Sequence, residues 1–121
     1  DINPEAVELV KRKDVNVIES DLFDKVEGKF DWIIFNPPYL PEDPNEPEDS
    51  KLATTGGKKG SEVLERFLGK AKDYLNPGGK ILVLVSSLTG DPKEMFKDYH
   101  YECLEKKKVF FEELIVYELE P

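Results

Sequence analysis

Apolar residues recur along this chain with two different periods, and the switches between them mark its elements. Over residues 4–13, Val7 and Val10 share a helical face with Leu9 nearby. Asn3 stands where a helix cap is needed and Pro4 suits the first helical position, so a helix is expected there. A strand is expected at residues 16–19. The run Phe30-Asp31-Trp32-Ile33-Ile34-Phe35 is almost continuously apolar and stops at Asn36 and two prolines. That is the pattern of a central strand buried on both faces of a parallel sheet, with Trp32 in the core. Residues 37–60 turn to Pro, Gly, Glu and Asp, and a stretch of that length without a period is expected to be a functional or disordered loop.

Helical period returns over residues 61–75, with Ser61 as the cap and Val63, Leu64, Phe67, Leu68, Ala71 and Leu75 as the apolar stripe. Asn76-Pro77-Gly78-Gly79 ends it. Residues 80–85 read as a second buried strand, 90–97 as a short helix, and 99–109 and 113–119 as two alternating strands. The expected order is α, β, β, α, β, α, β, β. It predicts an α/β layer fold with a mostly parallel sheet, closed at the C-terminus by a hairpin that makes one strand antiparallel. No internal repeat is visible.

Length and composition narrow the picture. At 121 residues the chain is expected to form one domain with a real core. Its longest apolar runs, such as Ile81 to Val85, fall far short of the roughly 18 residues that span a bilayer. The opening Asp-Ile-Asn-Pro carries no basic leader or cleavage signal, so a secretory precursor is not expected. Cys103 is the single cysteine, which excludes an internal disulfide and favours a reduced, cytoplasmic setting. With 26 acidic against 17 basic side chains the net charge is −9, a poor match for a phosphate backbone and a better one for a protein surface or basic tail. Nucleic acid is the less favoured partner. The charged fraction of 36% also fits the ion-pair-rich surfaces of heat-adapted proteins.

The sharpest chemical feature is Asn36-Pro37-Pro38-Tyr39, just past the carboxyl end of the expected central strand, where ligands bind in open α/β sheets. An amide or aromatic amino nitrogen is a poor nucleophile because its lone pair is delocalised. An enzyme that alkylates it must hold both N–H groups and turn the lone pair toward the electrophile. Asn36 can accept one N–H through its side-chain carbonyl. The backbone carbonyl of Pro37, fixed in an extended direction by the proline that follows, can accept the second. Tyr39 can lay its ring on the flat group. Such catalysis is positioning and electrostatics rather than acid–base work. The plainer alternative is that these residues only end a strand.

Other features read more modestly. Gly56-Gly57-Lys58-Lys59-Gly60-Ser61 lacks the spacing of a phosphate loop and is expected to lead into the next helix. The acidic, proline-containing segment 41–50 is expected to be solvated, with a lid over the substrate slot as the functional alternative. His100 and Cys103 have no partners for a metal site or a Cys–His pair and are expected to be structural.

These residues resemble the class I methyltransferases, in particular the HemK/PrmC-like branch that methylates the glutamine of the Gly-Gly-Gln loop of class-one translation release factors. Residues 30–41 are similar to that branch's substrate motif. Asp1-Ile2-Asn3-Pro4-Glu5-Ala6 resembles the end of its second strand, which implies that Asp1, with Ile2, binds the ribose hydroxyls of S-adenosylmethionine. Ser20-Asp21-Leu22-Phe23 resembles the next cofactor motif, which implies that Asp21 and Leu22 face the adenine. The resemblance also implies that Asn36 borders cofactor and substrate alike. Gly56-Gly57 with Gly60 and Phe67, and residues 76–80, are similar to the family's later helix and turn.

The resemblance implies a Rossmann-like sheet, S-adenosylmethionine as cofactor, a release factor as substrate and a small zinc-binding activator subunit as a possible partner. The family's glycine-rich cofactor loop precedes the second-strand acid, at which this chain begins. The expectation is therefore a single partial domain over residues 1–121, the C-terminal two-thirds of the fold without its first two strands, with residues 37–60 as the substrate-side loop. Alternatives left open are a methyltransferase for adenine or guanine amino groups, one for lysine, and a non-catalytic fragment.

Overall fold

In the computed structural model, which describes residues 1–121, a four-stranded sheet is backed by one well-packed helix. The elements are α1 (Pro4–Lys11), β1 (Phe30–Phe35), α2 (Glu48–Thr54), α3 (Glu62–Ala71) continued by a 3-10 turn (Lys72–Tyr74), β2 (Leu75–Ser86), α4 (Pro92–Met95), β3 (His100–Val109) and β4 (Glu112–Glu120). The strand order is β1-β2-β4-β3. β1 and β2 are parallel, and β4 is antiparallel to both β2 and β3. The α/β class and the C-terminal hairpin follow the expectation. The mostly parallel pairing narrows to β1–β2, because residues 16–19 join no strand.

Alternation along the strands decides where the core sits. Ile81, Val83 and Val85 of β2 and Ile115, Tyr117 and Leu119 of β4 point to one face. There they meet Leu64, Phe67, Leu68 and Ala71 of α3 and the fully buried Phe96. Each of the buried Val, Leu, Ile and Phe side chains among them contributes about 1.5–3 kcal/mol by leaving water. The stripe expected on α3 is therefore observed. Its α-helical part is shorter than residues 61–75, and Ser61 stands at the N-cap position as expected but makes no side-chain cap: the hydroxyl donates to Glu65 Oε1 at 2.7 Å instead of accepting from the helix start.

Four further expectations are corrected. β1 is an edge strand of this sheet, not a central one, and Trp32 and Ile34 are 51% and 75% exposed because no element of the chain covers that face. Residues 37–60 are not structureless, since α2 forms within them and Leu40 pairs with Thr55. Residues 76–79 do not precede β2 but bulge out of it: Phe30 pairs with Leu75 and Trp32 with Lys80, so the extra residues loop out, with Gly78 at φ 77. α1 ends at Lys11, short of residue 13, although Asn3 caps it as expected by accepting from Glu5 N at 2.9 Å. No helix is long and apolar enough to cross a membrane.

Candidate catalytic site

β1 delivers Asn36 to the carboxyl end of the sheet through its parallel register with β2, which runs from Trp32↔Lys80 to Phe35↔Val83. Beyond it Pro37 is buried while Asn36 stays exposed. Asn36, Pro37, Tyr39 and Leu40 line a cavity of about 170 Å³ closed by Ala53 and Thr54 of α2. That volume suits a side-chain head group; drug-sized ligands occupy roughly 300–1,000 Å³. The Asn36 side chain and the Pro37 carbonyl engage no other group of the chain, so both acceptors are free for a ligand. A wider depression of about 450 Å³ along α1, lined by Pro4, Glu5, Glu8, Leu9 and Arg12, is open to solvent and holds none of this chemistry.

The loop is held from behind. Leu40 N donates to Thr54 O at 2.9 Å, Gly56 N to Leu40 O at 2.9 Å, and Glu42 N to Gly57 O at 3.0 Å. Glu46 gathers the far side by accepting from Ser50 Oγ at 2.9 Å, Thr55 Oγ1 at 2.7 Å and Thr54 Oγ1. The Thr54 and Thr55 hydroxyls hold its carboxyl below the usual carboxylate range. Gly56 lies so close that a Cβ there would come within 2.6 Å of the Pro38 carbonyl oxygen and nearer still to that of Gly60. Gly60, at φ 89, would meet the Tyr39 carbonyl oxygen at 2.7 Å. These glycines are packing surfaces for the Asn36–Tyr39 backbone.

Tyr39 is half-buried, and burial, followed by the negative charge of Glu112, raises its pKa above the usual 10.0. It is a neutral phenol at physiological pH. Glu112 is itself anchored, accepting a hydrogen bond from Ser86 Oγ at the buried end of β2.

The remaining expected residues form a second group. The Asp1 amino group donates to Ile18 O at 3.0 Å, Ser20 N donates to Asp1 O at 2.9 Å, and Asp1 Oδ1 accepts from Asn3 N at 2.8 Å. Asp1 is thus docked on the extended segment 18–20 like one residue of a parallel strand pair, with Ile2 exposed beside it. Ser20 organises the next turn, accepting from Lys25 N at 3.0 Å and donating to Leu22 O at 3.1 Å, and Leu22 sits at φ 50. Asp21 pairs with Arg66 of α3 at 2.7 Å.

None of Asp1, Ile2, Asp21 or Leu22 lines the Asn36 cavity. The two groups are joined by aromatic stacking: Phe67 lies 5.2 Å from Phe23 and 4.0 Å from Phe35, centroid to centroid. Pro38 also stays off the cavity and contributes only its carbonyl packed against Gly56.

Toward an adenosine group the fit is partial. Asp1 keeps one carboxylate oxygen unengaged, and Ile2 and Leu22 offer apolar surface, while the Asp21 carboxylate is shared with Arg66. Sequence reading placed Glu46 and Thr54 within the substrate-side loop without assigning their hydrogen bonds, and did not find Glu112. Gly56 and Gly60 were visible as a glycine cluster, but their closeness to the loop needed the fold.

An acceptor pair stands at the carboxyl end of a parallel strand and a second group of carboxylates lies apart from it, on a sheet whose structural neighbours are class I methyltransferases. The chain belongs to the methyltransferase small domain family, whose model matches residues 1–111. It is 45% identical to MJ0928 of Methanocaldococcus jannaschii, named as a putative protein N5-glutamine methyltransferase, over 96% of this chain and 65% of the relative. It is 35% identical to methyltransferase HEMK2 of Mus musculus over 80% of this chain and 50% of the relative. The chain therefore spans between half and two-thirds of these relatives. Among solved structures, the E. cuniculi Mtq2–Trm112 complex, described as responsible for methylation of the eRF1 translation termination factor, matches with a TM-score of 0.73. That match has 25% identity and covers 98% of this chain and 68% of the other.

Proposed function

We propose that this chain carries the substrate side of an S-adenosylmethionine-dependent methyltransferase acting on a planar amide nitrogen, the glutamine side chain of the Gly-Gly-Gln loop of a class-one release factor. The observation that carries this reading is the small cavity in which the free Asn36 carbonyl oxygen and Pro37 carbonyl meet the Tyr39 ring. Residues 37–60 form the substrate-side loop. The names of the M. jannaschii relative and of the E. cuniculi complex support the choice of a protein glutamine over a nucleobase, as does the net charge of −9. Mtq2 forms a complex with Trm112, which supports a partner subunit for this protein too, the small activator that the sequence resemblance implies.

Asn36 Oδ1 accepts one N–H of the substrate amide and the Pro37 carbonyl the other, which fixes the amide plane. The Tyr39 ring packs on one face of that plane and leaves the nitrogen lone pair facing the open side. Asp1 with Ile2 would hold the cofactor's ribose, and Leu22 with Asp21 its adenine; the bound cofactor supplies an electrophilic methyl group. No group in the cavity acts as a strong base, and the proton that the methylated nitrogen gives up passes to solvent. Tyr39 is neutral and the Glu112 carboxylate is bonded to Ser86, so the chain contributes geometry and carbonyl dipoles. The test is mass-spectrometric detection of methyl incorporation into a release factor by the protein carrying this sequence. Methylation of the glutamine, reduced about 10²–10³-fold by Asn36→Ala, is expected; undiminished incorporation by Asn36→Ala would remove this mechanism.

A further inference from the structure

The turn of the β3–β4 hairpin lies at the same end of the sheet as Asn36. β1 and β2 run parallel and finish at Phe35 and Ser86. β4 runs back from Leu114 opposite Ser86, so the turn before it projects past the carboxyl ends of both strands. That turn is Phe110-Phe111, closed by the Val109–Glu112 pair. The two rings are 92% and 84% exposed, more than any other large hydrophobic side chain of the chain. Phe110 also holds φ 51, a conformation that favours Gly or Asn in a hairpin turn and strains a bulky residue.

Two aromatic rings kept in water, one of them on strained backbone, fit a contact surface better than a turn selected for stability. Glu112, the last residue of this turn's closing pair, is bonded to Ser86 at the end of β2, which anchors the turn at the carboxyl end of the sheet on which the Asn36 loop also stands. The loop leaving the cavity adds exposed Glu42, Asp43, Glu48 and Asp49.

We propose that Phe110-Phe111 is a second docking point for the protein substrate of the Asn36 site, an apolar wedge that seats on the substrate's folded body while its planar side chain enters the cavity. This rests on the glutamine reading above. The acids around the cavity select a partner with basic residues. They repel an anionic lipid surface, the rival occupant for exposed rings near Lys106, Lys107 and Lys108; Lys106 is moreover turned toward Glu113 at 3.8 Å.

The experiment compares equilibrium binding of this chain to a purified class-one release factor and to a short peptide containing Gly-Gly-Gln. The variants are Phe110→Gly with Phe111→Ser, which removes both rings and the backbone strain, and Asn36→Ala. The double variant is expected to melt no lower than the wild type, to bind the whole factor at least tenfold more weakly, and to bind the peptide unchanged. Asn36→Ala is expected to weaken both. A double variant that binds the factor as tightly as the wild type overturns the docking role and leaves the Asn36 reading standing. A wild-type chain that binds neither factor nor peptide overturns the glutamine reading and the docking role with it. Ring-dependent sedimentation with phosphatidylcholine–phosphatidylserine vesicles, without loss of factor binding in the double variant, assigns the turn to lipid instead.

Discussion

Gly56 shows how tightly single positions constrain the site. A methyl group there has no room, because its neighbours are the carbonyl oxygens of Pro38 and Gly60, backbone atoms that move only if the loop moves. Gly56→Ala is expected to destabilise the chain by about 1–3 kcal/mol and to shift Asn36 and Tyr39. Gly69, exposed in α3 with nothing within 4 Å of a built Cβ, is the matched control. Gly69→Ala is expected to stabilise by roughly 0.5–1 kcal/mol, and urea denaturation of the two variants separates the cases. Glu46 adds a pH dependence. Its folded pKa is depressed below the usual 4.5, so its stabilising bonds are complete above that value and are lost as pH falls through the lower folded one. In NMR spectra the Thr54 and Thr55 amides are expected to move together with a midpoint below 4.5, and Glu46→Gln is expected to abolish that transition.

Among the elements, α3 carries both packing and communication. Leu64 and Phe67 are buried side by side in its stripe, yet only Phe67 stacks on Phe23 and Phe35. Leu64→Ala is expected to cost about 2–5 kcal/mol and leave the Asn36 resonances in place, whereas Phe67→Ala is expected to cost about 3–5 kcal/mol and disturb both the 20–23 turn and Asn36. α3 and β4 were legible in the sequence because their apolar residues repeat with the element's own period, whereas β3 is exposed almost throughout and is held by its pairing with β4. α2 was not: none of its residues is buried, so no stripe betrays it, and its place is set by Glu46 and the Leu40–Thr55 bridge. The segment 16–19 has strand-like residues but finds a partner only in Asp1, which is too little for a ladder. Asn36, Pro37 and Tyr39 could be read as a unit because one short segment holds them all. Glu112, far along the chain, is brought to the same end of the sheet as Tyr39 only through the order β1-β2-β4.

For the molecule as a whole, β1 is the place where sequence and fold diverge most. Its apolar residues are those of a strand covered on both faces, and within these residues one face and one edge stay open, leaving Phe30, Trp32 and Ile34 in water. The net charge of −9 opposes self-association through that edge. Raising ionic strength, which shortens the screening length from about 10 Å at 0.1 M to about 3 Å at 1 M, is expected to promote concentration-dependent association in sedimentation experiments. Ile34→Lys is expected to suppress it. None of this touches the acceptor pair at the end of β1, on which the proposed chemistry stands or falls. Titration of the ¹⁵N-labelled chain with a Gly-Gly-Gln peptide, and with the Gly-Gly-Glu peptide that lacks the amide N–H groups, measures that site directly. Saturable shifts of the Asn36 side-chain amide and of Tyr39 are expected with the glutamine peptide and none with the glutamate peptide; equal responses to both, or none to either, would contradict the role of the acceptor pair.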